Sequence, residues 1–126
     1  MPDDEYRKLV ERVRAWYKAV HAVYCPCLQA NIIFNANGFR HLLYDGKGAP
    51  RSREERIRRL MLVKYAPSII QTAQDVAWRR KIGNIYYLTF RKQIPEHDHV
   101  ILVRVIVKKT TPGNHYYHSV MDEPNT

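Results

Sequence analysis

The chain has little of what usually marks a metal site, a disulfide framework or a membrane segment. It holds two cysteines in 126 residues, Cys25 and Cys27, and no apolar run reaches the roughly 20 residues that span a bilayer. A Cys-Pro-Cys step without a second half-site does not complete a zinc site. The first 13 residues also lack the basic-then-apolar order of a secretory signal. We therefore expect reduced thiols, no membrane contact and a cytoplasmic location, reached by synthesis there or by delivery into a target cell.

Acidic residues are scarce as well, and the shortage is uneven. The whole chain has 21 Lys or Arg against 12 Asp or Glu, a net charge of +9. Residues 38–65 hold eight of these cations and three acids, so a net charge of +5 falls in less than a quarter of the chain. Cations that neutralise phosphates release counterions, which drives association. The run therefore indicates a polyanionic partner, and its plain alternative is a solvated basic helix face.

The hydrophobic pattern predicts a single α+β domain over residues 1–126. Apolar residues recur at helical spacing in residues 4–21 and again in a helical part, 37–73. Residues 76–121 change to a period of two, which predicts a β-meander, and 122–126 are expected to be a frayed tail. We expect the N-terminal helices to pack on one face of an antiparallel sheet and to leave its other face open.

Local signals predict where the elements begin and turn. Residues 28–34 are β-branched and apolar, which favours a short strand, and YCPC before them reads as a break. Asn37 and Ser52 are predicted helix N-caps, Ser52 within the capping pattern S-x-x-E. The dipeptide Gly83-Asn84 and the stretch at 110–114 are predicted tight turns.

The open face of the predicted sheet carries cations. Strand 99–108 alternates, so Arg104 and Lys108 lie on the face opposite its all-apolar side. A two-residue turn after this strand would add Tyr117 and Ser119 to the open face. A bulged turn would bring His118 there instead. The sequence leaves both registers open.

Metal-free RNA cleavage suits these residue types. The 2′-hydroxyl of RNA attacks the adjacent phosphorus, so the enzyme must remove one proton, supply another and stabilise negative charge. Histidine suits the proton transfers near neutral pH, and arginine suits the grip on phosphate. The sequence has no H-E-x-x-H motif, no grouped carboxylates and no phosphate-binding loop. The expectation is therefore phosphate chemistry without a metal or another cofactor.

Three successive motifs carry a family resemblance: GFRHLLY (38–44), RSREERIRRL (51–60) and YHSVM (117–121). Together they resemble the phage-type nuclease domains of the barnase–EndoU–colicin–RelE fold, over roughly residues 24–121. The resemblance implies a toxin-like endoribonuclease with a barnase-like α+β fold, which cleaves by general acid–base transphosphorylation to a 2′,3′-cyclic phosphate. The family's motif positions match His41, Arg51, Glu55, Arg58, Lys108 and Ser119. In two departures, Lys108 stands where arginine is usual and His118 where an aromatic residue is usual.

The residues and the resemblance together predict the site. The expected catalytic residues are His41 as acid–base group, with Arg58, Lys108 and Ser119 at the scissile phosphate. The expected phosphate- and substrate-binding residues are Arg40, Lys47, Arg51, Arg104, Tyr44 and His118, with Tyr44 or Tyr117 available to stack a base. The structural alternatives are a surface histidine, arginines paired with Glu54 or Glu55, and a solvated strand edge at Arg104 and Lys108.

RNA is the expected partner, tRNA included, with an immunity protein or antitoxin as a second partner of a monomeric chain. The alternative function is a non-catalytic nucleic-acid-binding module that uses the same basic face.

Overall fold

The computed structural model describes residues 1–110 and 113–123, and within them the predicted α+β class is confirmed. The helices are α1 (Asp3–Val20), α2 (Ala36–Leu43), α3 (Arg53–Leu62) and α4 (Ala66–Thr72), with a 3₁₀ turn, Val63–Tyr65, between the last two. The strands are β1 (Ala22–Cys25), β2 (Ala30–Ile33), β3 (Trp78–Ile82), β4 (Ile85–Glu96), β5 (His99–Thr110) and β6 (His115–Glu123).

The sheet is mixed, so the prediction of an antiparallel sheet is wrong for one strand pair. The strand order is β1-β2-β6-β5-β4-β3, and β2 runs parallel to β6 while the other neighbours are antiparallel. The β1 strand occupies part of the stretch predicted as a break, because its residues pair with β2 across a short turn. The last strand in sequence therefore joins the β1–β2 hairpin to the meander.

The ends of the helices follow from local chemistry. Three acids in the first turn of α1 suit the positive end of its dipole, and α1 lies within one residue of its predicted bounds. Asn35, not the predicted Asn37, caps α2, because its side chain accepts a hydrogen bond from the Gly38 amide. Ser52 caps α3 as predicted, through a bond from the Glu55 amide. Pro67 lies in the first turn of α4, where its missing N–H costs nothing.

Alternation along β5 separates the two faces of the sheet. Its buried side chains, which pack into the core, are Ile101, Val103, Val105 and Val107. The α4 helix contacts β4 and β5. The opposite side, here called the open face, carries Arg104, Ile106 and Lys108, all partly exposed. The structure thus provides the two-sided sheet that the strand pattern predicts.

The C-terminal part differs from the prediction in one respect. Asp122 and Glu123, expected in a frayed tail, belong to β6 and pair with Val103 and Leu102. The rest of the predicted tail, 124–126, and positions 111–112 of the predicted turn at 110–114 lie outside the described residues. Among the described residues, no helix is long and apolar enough to cross a membrane.

The short pairing between β2 and β6 creates the place where the site forms. Within the described residues, β2 pairs with only two residues of β6, His115 and Tyr116, and the rest of β6 continues past the end of β2. The α2 and α3 helices contact β6. The α2 and α3 helices therefore bring side chains to β6, a strand that also contributes to the open face.

Candidate nucleic-acid cleavage site

Two histidines from distant parts of the sequence lie in contact. His41, on α2, and His118, on β6, have ring centroids 4.3 Å apart, and the rings are tilted by 58°. The His118 ring also makes an edge contact with Tyr87 of β4 at 5.2 Å. We call His41 and His118 the histidine pair. It joins the residue predicted for acid–base work to one predicted for substrate binding.

A β-bulge decides the register that the sequence left open. Ile106 pairs with Ser119 while the next residue, Val107, pairs with Tyr117, so His118 is the extra residue of the bulge. Tyr117 then points into the core, 1% exposed and stacked on Phe34 at 4.9 Å. The prediction that Tyr117 could stack a base is therefore wrong. The bulge frees His118 to leave the strand ladder and meet His41.

Gly38 allows α2 to lie against β6. A Cβ atom at this position would meet the Tyr117 ring and the Tyr117 carbonyl oxygen, both at 2.7 Å, and also the Tyr17 hydroxyl. That hydroxyl donates a hydrogen bond to the carbonyl of Asn35, the residue that caps the helix. His41 follows Gly38 by three residues, so it lies on nearly the same side of the helix. The close approach at Gly38 therefore sets the position of His41.

Burial and positive charge both disfavour protonation of the pair. Burial lowers the pKa of His41 below its ordinary value, and the cations of Arg51, Lys108, Arg59 and Arg40 lower it further. Burial, with His41, Lys108 and Arg51 as further causes, lowers the pKa of His118 to about 4. Both imidazoles are therefore neutral at pH 7. An anion bound between these cations would offset the repulsion that keeps them so.

One carboxylate holds two of the arginines in place. Glu55 accepts hydrogen bonds from Arg51 Nη1 at 3.1 Å and from Arg59 Nε at 3.2 Å. Arg51 Nε also donates to the His41 carbonyl at 2.9 Å, which ties the loop after α2 back to that helix. The Arg51 and Arg59 side chains are only 12% and 11% exposed. Glu55 thus serves as a bridge between α3 and the site as well as the partner of its cap.

Ser119 is buried, although its register partner Ile106 lies on the open face. It is 6% exposed, and its hydroxyl accepts a hydrogen bond from Arg59 Nη1 at 3.0 Å. The same nitrogen donates to the Val120 carbonyl at 3.2 Å. This geometry makes Ser119 part of the connection between α3 and β6. The contact of Ser119 with phosphate stays a prediction, whereas Arg59, next to it, acts on His41 through its charge.

Arg58 is directed away from the histidine pair. Its Nε and Nη2 donate to Asp122 Oδ2 at 3.0 and 2.8 Å, and its Nη1 donates to Glu96 at 3.3 Å. These bonds raise the pKa of Arg58, first through the hydrogen bond to Asp122. A guanidinium engaged by two carboxylates has little capacity left for phosphate. Its placement does not fit the catalytic role that the sequence predicted for Arg58.

The remaining predicted residues lie in two places around the pair. Arg40, Tyr44 and His41 line a small cavity of about 180 Å³ beside the loop after α2, with the Arg40 guanidinium 4.4 Å from the centre of the Tyr44 ring. Lys47 lies exposed in that loop. Arg104 lies on the open face, where it forms an ion pair with Glu123 and covers the Trp78 ring at 4.8 Å.

Two residues of the site were missed from the sequence. Arg59 follows Glu55 by four positions and Arg51 by eight, so helical spacing alone could have grouped it with them. Tyr87 gave no comparable signal, because its contact with His118 depends on which strands are neighbours in the sheet.

Comparison of this chain with family models, curated proteins and solved structures finds no match. Within residues 1–110 and 113–123, no three His, Cys, Asp or Glu side chains are grouped as metal ligands would be.

Proposed function

We propose that the chain is a metal-independent endoribonuclease whose catalytic groups are the histidine pair. The observation that carries the proposal is the contact between His41 and His118, together with the cations whose charge lowers the pKa of His41. Two imidazoles supply the base and the acid that transphosphorylation requires, and the cations supply the electrostatic stabilisation. The toxin-like activity, the barnase-like fold and the cytoplasmic site of action that the sequence resemblance implies belong to the same proposal.

The different pKa values of the pair support a division of labour. His118, whose pKa is about 4, is neutral and serves as the general base that takes the proton from the 2′-hydroxyl. His41 becomes protonated when the substrate phosphate neutralises its surrounding cations, and it gives its proton to the departing 5′-oxygen. The 2′-oxygen forms a bond to phosphorus as the bond to the 5′-oxygen breaks. The products are a 2′,3′-cyclic phosphate and a 5′-hydroxyl.

Accessible cations would hold the phosphate. Lys108 is partly exposed on the open face and lowers the pKa of both histidines, so its charge acts on both rings. Arg40 is exposed and stacked on Tyr44 beside His41. Arg51 contributes charge from a largely buried position. These three cations replace the predicted set that relied on Arg58.

The test is cleavage of total RNA and of tRNA by the purified chain in excess EDTA, with analysis of the fragment ends. We expect cyclic phosphates and 5′-hydroxyls. His41→Ala and His118→Ala should each slow cleavage by roughly 10²- to 10⁴-fold, the usual size of a general acid–base contribution. His99→Ala is the matched control, because His99 is 58% exposed at the start of β5.

Two outcomes would overturn the proposal. Unchanged cleavage in both variants of the pair would remove its catalytic role. Intact RNA that comigrates with the chain at low salt would favour the alternative, a non-catalytic nucleic-acid-binding module with the same basic surface.

An acidic inhibitor, such as an immunity protein or antitoxin, would compete with RNA for this surface. We also propose that the chain acts as a monomer.

A further inference from the structure

A groove crosses the open face next to the histidine pair. Its volume is about 280 Å³, close to the roughly 300 Å³ of the smallest ligand pockets. The strand register defines its floor, since Trp78 pairs with Thr89, Thr89 with Ile106, and Ile106 with Ser119. Side chains of directly paired residues lie on the same face. Trp78 of β3 therefore lies at one end of this row and the bulge that carries His118 at the other.

The sides of the groove combine aromatic and cationic groups. Tyr87 borders it next to His118, and Arg80, exposed on β3, lies directly opposite Tyr87. On the other side, the Arg104 guanidinium lies 4.8 Å from the centre of the Trp78 ring. Trp78 is nevertheless 41% exposed, an unusual state for so large an apolar side chain. The groove thus offers a flat aromatic surface between Arg80 and Arg104, whose guanidinium is also paired with Glu123.

This combination suits a flat, apolar ring attached to phosphates. We infer that the groove binds one unpaired nucleobase of single-stranded RNA, next to the phosphate held at the histidine pair. A base within a duplex is stacked and paired, so it cannot enter a groove in the sheet. Stacking on an aromatic side chain tolerates different bases, since every base presents a flat face. The inference rests on the proposed ribonuclease function and adds that its substrate is single-stranded.

Binding is measured with a probe that cannot be cleaved. Hexathymidylate DNA lacks the 2′-hydroxyl, and an abasic strand of equal length keeps the phosphates without the bases. In a Trp16→Phe background Trp78 is the only tryptophan, so its fluorescence reports on the groove. We expect quenching by hexathymidylate and weaker, unquenched binding of the abasic strand. Trp78→Ala should weaken hexathymidylate binding by roughly 5- to 150-fold, the usual range for a base–aromatic stack.

Two further variants separate stacking from folding. Trp78→Phe should keep most of the affinity, because it retains an aromatic face. Tyr24→Ala should leave affinity unchanged, since Tyr24 is a 51% exposed aromatic on β1, at the other edge of the sheet. Equal affinity for the two strands, or full affinity in Trp78→Ala, would overturn the inference.

Cleavage in EDTA distinguishes this inference from the proposed function. Base-dependent binding without cleavage would leave the groove as a base site and remove the ribonuclease. Cleavage with an affinity that does not depend on the bases would support the ribonuclease and remove the base site. If both hold, Trp78→Ala should raise KM for single-stranded RNA and leave kcat nearly unchanged, because the stack lies beside the reacting atoms.

Discussion

Acidification should destabilise the protein through His118. The pKa of His118 is about 4 in the folded chain, compared with 6.5 for an ordinary histidine. Below pH 6.5 the unfolded chain therefore binds a proton at this histidine, whereas the folded chain does so only near pH 4. Stability therefore falls as the pH drops from 6.5 and stops falling through this group near pH 4. The two pKa values give a loss of about 2 kcal/mol at pH 5 and about 3 kcal/mol at pH 4.

Urea unfolding at pH 7 and pH 5, followed by circular dichroism, measures this loss. His118→Phe keeps a ring against Tyr87 and His41 but cannot titrate, so its stability should change about 2 kcal/mol less between the two pH values. His99→Phe, at an exposed position, should behave as the original chain does. Acidic losses from carboxylates, such as Glu123 with its lowered pKa, are common to all three proteins. An equal pH dependence in His118→Phe would refute the burial and charge argument for this histidine.

Three further expectations follow from the same geometry. If the histidine pair divides base and acid work as proposed, kcat/KM against pH should be bell-shaped with its maximum between pH 4 and 6.5, and a maximum above pH 7 would contradict the assignment. Gly38→Ala should cost roughly 1–3 kcal/mol in urea unfolding and slow RNA cleavage, whereas Gly46→Ala, with nothing within 4 Å, should do neither. Arg58→Ala should lower the free energy of unfolding by about 1 kcal/mol and leave the cleavage rate of the folded protein unchanged. Arg59→Ala should lower both the stability and the cleavage rate. A large catalytic loss confined to Arg58→Ala would restore the original prediction for that residue.

Much of the fold could be predicted from local sequence patterns. The two apolar periods fix the helices and the meander, and Ser52 and Gly83 act where their chemistry predicts, Gly83 with a positive φ of 61° in the turn between β3 and β4. The parallel pairing of β2 with β6 is not readable in this way. It joins residues about 83 positions apart, Ile32 with His115 and Ile33 with Tyr116, and no local signal reports such a contact.

The site was predictable where a helix carries it and not where a strand register decides it. His41 stands out from its neighbours in sequence, but its partner depends on a bulge that the sequence left open. The choice between Arg58 and Arg59 depends on about 100° of rotation around α3. That rotation is set by the burial of Leu60 and Leu62, which face the core, and not by any property of the arginines.

The position of β6 has a consequence for synthesis of the protein. This strand is the last of the six described strands in sequence, yet it lies in the middle of the sheet, between β2 and β5. Domains emerge from the ribosome N-terminal end first, at about 5–20 residues per second. Until β6 emerges, the β1–β2 hairpin and the meander lack the strand that connects them, and His41 has no ring to meet. The histidine pair therefore forms only after β6 has been synthesised, so a chain interrupted before β6 carries the basic residues of α2 and α3 without the paired imidazoles.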